Sequence, residues 1–159
     1  MKKIIKKIAK IFGILILLFC ITIGIGVFFF GPGTQDYEYD VGTGYQLNRS
    51  SAHQITISPK LEYLEGDYNA DSIPTKVIEL AWNERYVIAK QFGMKSRSPN
   101  NPDDLYEEVD KTKTYYWILD TLDKKRYGPF DLADFKEQLK IYELENLELK
   151  PVESYKTNK

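Results

Sequence analysis

The chain opens with a strongly basic segment that is followed by a long apolar one. Five lysines lie within the first ten residues, and residues 11–30 contain no charged side chain. Twenty helical residues at about 1.5 Å each span roughly 30 Å, the thickness of the hydrocarbon core of a bilayer. Because basic flanks resist translocation, we expect a cytoplasmic amino terminus and an extracytoplasmic chain after Phe30. Residues 1–30 are therefore predicted to be a leader and transmembrane helix that anchors the protein in the cell membrane by a single pass.

Two other interpretations of this leader remain open. A cleaved signal peptide has an apolar region of only about 7–15 residues and small residues at its cleavage site, and here only Gly31 and Gly33 form such a pair. A lipoprotein would carry its acyl chain on Cys20, but Leu18 and Phe19 stand where small residues are expected. The uncleaved anchor is the preferred interpretation, with Cys20 as an ordinary small apolar residue.

Beyond the membrane, the pattern changes to the two-residue alternation that is typical of β-strands. Residues 31–36 read as a linker, and Tyr37 and Tyr39 then alternate with acidic residues along a first strand. A later strand is predicted from His53 to Ser58, with its two isoleucines on the buried side. These segments predict a sheet that has one polar face and one apolar face.

The clearest hairpin lies between residues 76 and 91. With Asn83-Glu84 as a two-residue turn, antiparallel pairing places Trp82 opposite Arg85. One face then collects the apolar side chains of both strands: Ile78, Leu80, Trp82, Val87 and Ala89.

Downstream of this hairpin, strand and helix signals are separated by a polar stretch. Phe92 to Lys113 is predicted to be a long loop, and strand signals resume from Tyr115 to Asp120 and end at Gly128-Pro129. Asp131 is a natural N-cap for a helix predicted from residue 132 to about 144. The helix has one apolar stripe, which must lie on the sheet: Leu132, Phe135, Leu139 and Tyr142.

The predicted fold class is α+β, with an N-terminal transmembrane helix followed by an antiparallel β-sheet domain that is built from hairpins and carries one C-terminal helix packed on it. Residues 37–152, which end with an extended stretch at Leu147 and Leu149, form a single extracytoplasmic domain, and residues 153–159 form a polar tail. The core is predicted to contain Ile78, Leu80, Trp82, Val87, Ile118, Leu119, Phe135 and Leu139.

Charge and cysteine content narrow the range of partners. All 23 acidic residues lie after residue 30, so the outer part of the chain is acidic, and nucleic acid is not expected as a partner. The single cysteine, Cys20, lies in the leader. The outer domain therefore has no disulfide and depends on an ordinary hydrophobic core, to which its twelve tyrosines and two tryptophans contribute.

The sequence offers few candidates for catalysis. His53 is the only histidine, and Ser50 and Ser51 lie close to it, but no Gly-x-Ser-x-Gly motif is present. His53 is therefore interpreted as a half-buried strand residue. One histidine and no outer cysteine exclude the usual zinc sites. We assign no catalytic or cofactor-binding residue, and we predict no cofactor.

Two acidic clusters contain the oxygen ligands that calcium prefers. Asp36, Glu38 and Asp40 alternate along one strand, and Asp103 and Asp104 lie beside two asparagines. Neither cluster has the Asp-x-Asp-x-Asp-Gly pattern of a calcium loop. A solvated strand face and a solvated turn are the preferred interpretations, and no metal site is predicted.

Four blocks of sequence carry a resemblance to a known family: GYQLNRSSAHQITIS, IPTKVIELAWNERYVIAKQFGMKSRSPNNPDDLYE, YYWILDTLDKKRYGPFDLADF and LELKPVESY. In this order they resemble a family of small surface lipoproteins of Gram-positive bacteria that is known only as a domain of unknown function. The resemblance covers nearly all of the outer domain and implies an exported, envelope-associated location. It brings no activity, ligand or catalytic residue, and the chain departs from the family at Phe19, which precedes Cys20.

Two classes of function are consistent with these observations. The preferred one is a noncatalytic envelope module that binds a protein or a wall component through an exposed aromatic and acidic face. The alternative is a small cell-wall hydrolase, in which His53 would meet a carboxylate and a hydroxyl in a pocket.

Overall fold

The computed structural model separates into two units, residues 1–35 and 36–159, and describes residues 13–16, 19–21, 36–63 and 71–155. The described residues of the first unit are helical, and Cys20 is exposed. Within the described ranges, no helix has both the length and the apolar character that a bilayer span requires. Most of the predicted span 11–30 and linker residues 31–35 lie outside the described residues.

The described part of the second unit contains two antiparallel sheets. The smaller sheet consists, in spatial order, of β1 (Tyr37–Asp40), β2 (Tyr45–Arg49) and β3 (Ile55–Pro59). The larger sheet consists, in chain order, of β4 (Val77–Trp82), β5 (Tyr86–Ser96), β6 (Glu107–Asp120), β7 (Lys125–Phe130) and β8 (Lys150–Pro151). Its spatial order is β7-β6-β5-β4-β8. Helix α1 (Leu132–Ile141) follows β7, and two 3-10 helices complete the described chain: Leu61–Tyr63 and Val152–Tyr155.

The larger sheet is buried on both of its faces. Trp117 and Leu119 of β6 point into a core that is shared with the smaller sheet, whereas Tyr116 and Ile118 point into a second core beneath α1. Burial on both faces explains why this part of the sequence is a continuous apolar run instead of an alternating one. The predicted antiparallel α+β domain with a C-terminal helix is confirmed, and its hairpins form two sheets instead of one.

Most of the predicted core is buried, but Ile78 is not part of it. A β-bulge between Val77 and Glu79 places Val77 in the core and leaves Ile78 half-buried, because the extra residue interrupts the alternation of sides. Trp82 and Leu139 are partly buried at the edges of the two cores. The other predicted core residues are fully buried: Leu80, Val87, Ile118, Leu119 and Phe135.

The turn between β4 and β5 begins one residue later than predicted. Trp82 pairs with Val87 and not with Arg85. The Asn83 side-chain oxygen accepts hydrogen bonds from the N–H groups of Arg85 (2.9 Å) and Tyr86 (2.7 Å). Asn83 is the first residue of the turn, and its side chain stabilises the turn by these bonds, which is a frequent role of asparagine. The pairing shifts by two residues, so the apolar face of the hairpin is preserved.

The polar stretch after Phe92 is mostly strand and not the predicted long loop. β5 continues to Ser96 and β6 begins at Glu107, so the loop proper covers residues 97–106. We call residues 93–113 the hairpin arm. Most of its side chains are exposed, which explains why a sequence without apolar alternation still pairs as strands here.

The C-terminal part of the domain follows the predicted order with changed boundaries. β7 runs through Gly128-Pro129 to Phe130, past the predicted strand end. The Asp131 carboxylate accepts hydrogen bonds from the N–H groups of Ala133 (2.8 Å) and Asp134 (2.9 Å), which confirms the predicted N-cap. The helix ends at Ile141, earlier than predicted.

The last described residues are packed against the larger sheet. The Tyr155 hydroxyl donates to the Leu80 carbonyl oxygen at 2.9 Å, and its ring packs on the core between the sheets. The packed chain therefore extends past the predicted domain end at residue 152, and residues 156–159 lie outside the described residues.

Candidate functional site

His53 lies in an exposed bend before β3, so its interpretation as a half-buried strand residue is wrong. The Ser51 hydroxyl accepts hydrogen bonds from the N–H groups of His53 (3.2 Å) and Gln54 (3.0 Å), and the Ser50 hydroxyl donates to the Gln54 side chain at 3.0 Å. These bonds form a polar turn that delays the strand until Ile55. Both serine hydroxyls therefore shape the loop and are not directed at the imidazole.

The acidic residues of β1 lie on the exposed side of the strand, as their alternation with tyrosines predicts. The Asp40 carboxylate is engaged by Lys60 at 2.6 Å and by the Gly42 N–H at 2.8 Å. Hydrogen bonds from these two groups hold the pKa of Asp40 below its ordinary value. Asp40 thus closes the turn between β1 and β2.

The second acidic cluster forms the loop at the end of the hairpin arm. The Asp104 carboxylate accepts hydrogen bonds from the Ser98 hydroxyl at 2.7 Å, the Arg97 guanidinium at 2.8 Å and the Tyr106 N–H at 3.1 Å. The first two of these bonds lower the pKa of Asp104 most strongly. In the part of the chain that the structure describes, no group of three acidic, histidine or cysteine side chains is placed to hold a metal ion.

An open concavity of about 900 Å³ lies over the smaller sheet. Glu38 of β1, Asn48 of β2 and Thr56 of β3 are direct cross-strand partners and line it as one row. Their neighbours Leu47 and Ile57 point to the opposite side, into the core. The row therefore presents a carboxylate, an amide and a hydroxyl on one surface.

Hydrogen bonds between side chains order this surface. The Gln46 amide donates to the Asn48 side-chain oxygen at 2.9 Å, and the Asn48 amide donates to the Ser58 hydroxyl at 2.6 Å. At the rim, the Arg49 guanidinium lies 5.7 Å from the centre of the Tyr37 ring. Because neighbouring strands hold these groups, their positions are set before any ligand arrives.

An aromatic cluster lies at the edge of the core between the two sheets. The Trp82 ring is 5.9 Å from Tyr39 and 4.9 Å from Tyr155. Trp82 borders two shallow concavities of about 400 and 430 Å³, one beside Tyr155 and one beside the Gly42 turn. Local alternation placed Trp82 on the core side but did not indicate this cluster, because its members come from distant parts of the chain.

Asp120 is a buried carboxylate whose surroundings identify it as structural. Arg85 donates to it from two nitrogens, at 2.6 and 3.0 Å, and the N–H groups of Leu122 and Asp123 bind its other oxygen. Burial favours a higher pKa for Asp120, but the hydrogen bonds from Arg85 and the backbone outweigh burial and lower it. A carboxylate with both oxygens occupied in this way is a poor proton acceptor.

Three tyrosines near the Arg85–Asp120 ion pair form a second aromatic group. Tyr142 lies 5.6 Å from Tyr86 and 5.2 Å from Tyr127 between ring centres. Burial and a hydrogen bond with Tyr127 raise the pKa of Tyr142 to about 12. Its phenol therefore stays protonated at neutral pH.

Comparison with known proteins identifies a family but no activity. A family model described as a protein of unknown function, DUF3997, matches residues 42–154. No curated protein and no solved structure matches the chain. The predicted resemblance to a domain of unknown function is confirmed, whereas the match carries no information about a lipoprotein or a Gram-positive source. Since the matched region covers most of the chain and all the described strands except β1, the protein belongs to the DUF3997 family of proteins of unknown function.

Proposed function

We propose that this protein is a membrane-anchored extracytoplasmic module that binds a component of the cell envelope without catalysing a reaction. The anchor is supported by the lysine-rich leader and the uncharged residues 11–30. Binding is supported by one observation above all, the row of Glu38, Asn48 and Thr56 in the concavity over the smaller sheet.

The chemistry of the row favours a neutral polar ligand. A carboxylate accepts hydrogen bonds, while an amide and a hydroxyl both donate and accept them. The hydroxyl and N-acetyl groups of wall glycan offer the complementary set. The acidic excess of the outer chain repels polyanionic polymers, so uncharged glycan is the envelope component that we expect to bind.

The alternative function, a cell-wall hydrolase, draws no specific support from its proposed base. His53 is exposed in a bend, and the hydroxyls of its two nearest serines are used in the turn. A general base needs its proton acceptor within hydrogen-bond reach of a nucleophile or of a water on the substrate.

Binding to purified cell-wall sacculi tests the proposal. The full-length chain in detergent micelles should co-sediment with the sacculi. The double variant Glu38→Ala/Thr56→Val should bind about tenfold more weakly, because about 1.4 kcal/mol is lost with these hydrogen bonds. Glu137→Ala, which removes an exposed glutamate from α1, is the matched control and should bind as the wild type does.

The same assay separates the two functions. Equal binding by wild type and double variant, or no binding by either, contradicts glycan recognition by this row. Release of soluble wall fragments by the wild type, abolished in His53→Ala, would instead establish the hydrolase.

A further inference from the structure

Trp82 forms a wall that two shallow concavities share, one of about 430 Å³ beside the Gly42 turn and one of about 400 Å³ beside Tyr155. Both volumes lie in the range of about 300–1,000 Å³ that is typical of small-molecule sites. Neither concavity has a lining residue in common with the concavity over the smaller sheet. Trp82 therefore belongs to a surface that is separate from the polar row on the smaller sheet.

The N–H edge of the Trp82 indole lies at the concavity beside the Gly42 turn, because a Cβ atom on Gly42 would lie 3.9 Å from Trp82 Nε1. Within the described part of the chain, this N–H has no hydrogen-bond acceptor. By contrast, the indole N–H of the buried Trp117 donates to the Gln91 side-chain oxygen at 2.5 Å. Since an indole N–H only donates and is normally paired when it is buried, that of Trp82 is available to water or to a ligand.

Two turns place polar side chains beside this indole. The Asn83 side-chain oxygen is occupied by the N–H groups of Arg85 and Tyr86, so the NH2 group of the same amide is left as a donor. Glu84 and Thr43 are exposed and add a carboxylate and a hydroxyl to the lining. Among the described residues, the indole is the only apolar side chain of this concavity.

Thr43 is held in a strained conformation at the rim of the same concavity. Its φ is +51°, and its neighbours Gly42 and Gly44 also have positive φ values, +81° and +83°. A β-branched residue rarely adopts this conformation, whereas glycine or asparagine does so readily. Strain of this kind is concentrated at functional sites. A role of the hydroxyl in binding accounts for threonine at this position.

The second concavity lies where β4 no longer has a neighbouring strand on one side. β8 pairs with Glu79 and Leu80 only, so no described strand pairs with Ala81 and Trp82 at that edge. The side chains that line the gap come from the chain on either side of β8: Asn146, Leu147, Glu148, Lys150 and Tyr155. Each of the two concavities thus combines the indole with an amide and a carboxylate.

From these observations we propose that Trp82 is the centre of a saccharide-binding site, in which each concavity holds one unit of an uncharged glycan. The C–H groups of a sugar ring carry small positive partial charges and pack on the electron-rich face of an aromatic ring. Sugar hydroxyls donate to carboxylates and accept from amide and indole N–H groups. Both kinds of partner are present in each concavity.

The polar lining favours a saccharide over a proline-rich peptide, which is another frequent ligand of accessible aromatic side chains. Proline-rich segments bind in grooves that are lined by aromatic rings, whereas the concavity beside Gly42 is polar apart from the indole. The carboxylates of Glu84 and Glu148, one in each concavity, disfavour acidic sugars. This inference shares the ligand class of the proposed function but not its site, so either can fail alone.

Quenching of tryptophan fluorescence by acrylamide tests whether a saccharide reaches Trp82. The full-length chain, in micelles of a detergent without a sugar headgroup, is titrated with the uncharged tetramer of N-acetylglucosamine. Trp117 is only 6% exposed, so Trp82 dominates the emission that acrylamide can quench. We expect the bound tetramer to protect Trp82 and to lower the quenching.

Calorimetric titration of variants with the same tetramer identifies the contacts. All variants carry Glu38→Ala/Thr56→Val, so that the row does not contribute to the affinity. Trp82→Phe, which removes the indole N–H and reduces the ring, should bind about tenfold more weakly, and Asn146→Ala about fivefold, through one lost hydrogen bond. Asn100→Ala is the matched control, because Asn100 is also an exposed asparagine but lies in the loop of the hairpin arm. Circular dichroism shows whether each variant is folded, and the exposed Asn146 keeps the test valid if Trp82→Phe is not.

The outcomes separate this inference from the proposed function. No protection of Trp82 at saturating tetramer, or equal affinities for Asn146→Ala and Asn100→Ala, overturns the site even if the row binds sacculi. Protection that persists in Glu38→Ala/Thr56→Val supports the site even if that variant binds sacculi as the wild type does, which would exclude the row. Protection that is lost in that variant would place the tetramer at the row and overturn the inference. Protection by a proline-rich peptide and not by the tetramer would also overturn it, and would assign the site to a protein partner.

Discussion

Gly128 lies in β7 with a φ of +118°, a backbone conformation that side chains other than that of glycine rarely allow. A Cβ atom there would lie 2.7 Å from the Tyr116 carbonyl oxygen and 2.9 Å from the Trp117 ring. Gly128→Ala should lower the free energy of unfolding by about 3 kcal/mol, from strain and steric overlap together, in urea titrations of the domain.

Gly42→Ala is the control that separates these two causes. Gly42 has a φ of +81°, but its added Cβ would meet only the Trp82 ring, at 3.8 Å. Gly42→Ala should therefore lower the free energy of unfolding only through backbone strain, by about 1 kcal/mol. Equal losses for the two variants would mean that steric overlap at Gly128 is relieved without cost.

Asp120 predicts a pH dependence of stability. Its pKa is lowered in the folded state, so its contribution is complete above the unfolded pKa of about 4 and is lost as pH falls through the folded value. Asp120→Asn should cost about 1–3 kcal/mol at pH 7 and flatten the loss of stability below about pH 4. Urea titrations at several pH values measure both effects.

The matched control for this prediction is Asp123→Asn. Asp123 binds the same Arg85 guanidinium at 2.9 Å but is 64% exposed. An exposed pair contributes about 0–1 kcal/mol, so the pH profile should stay close to that of the wild type. If the stability of Asp120→Asn depends on pH as that of the wild type does, the buried Arg85–Asp120 pair is not the cause of the pH dependence.

At the scale of elements, α1 depends on one buried side chain. Phe135 is 3% exposed and stacks on Tyr116 with 4.8 Å between ring centres. Phe135→Ala should lower the free energy of unfolding by about 3–5 kcal/mol. Leu132→Ala in the same helix should cost less than about 1 kcal/mol, because Leu132 is 48% exposed although the apolar stripe predicted it to be buried. Similar losses in chemical denaturation would mean that α1 packs through a different face.

The elements also show where sequence patterns are reliable. The Asp131 cap and the buried isoleucines of β3 depend on residues within one turn or one strand, and both are confirmed. The bulge at Ile78 and the long hairpin arm depend on what the partner strand does, and alternation along one strand carries no information about that.

For the whole molecule, the leader predicts the orientation in the membrane. Protease added to cells without a wall should digest the domain after Phe30 and spare the leader, because the proposed orientation keeps the five lysines of the amino terminus inside. An antibody to a tag at the amino terminus reports the protected fragment, and an intact cytoplasmic marker shows that the membrane was sealed. Full protection of the domain would contradict this orientation.

The sequence by itself determined the α+β class, the capped helix, the alternating first strand and the likeness to a domain of unknown function, since each depends on neighbouring residues or on the order of motifs. Tertiary structure alone decided that two sheets share a core and that Glu38, Asn48 and Thr56 form one row. The physical reason is that cross-strand partners are chosen by burial in the whole core. Residues far apart in the chain become neighbours only when that core forms.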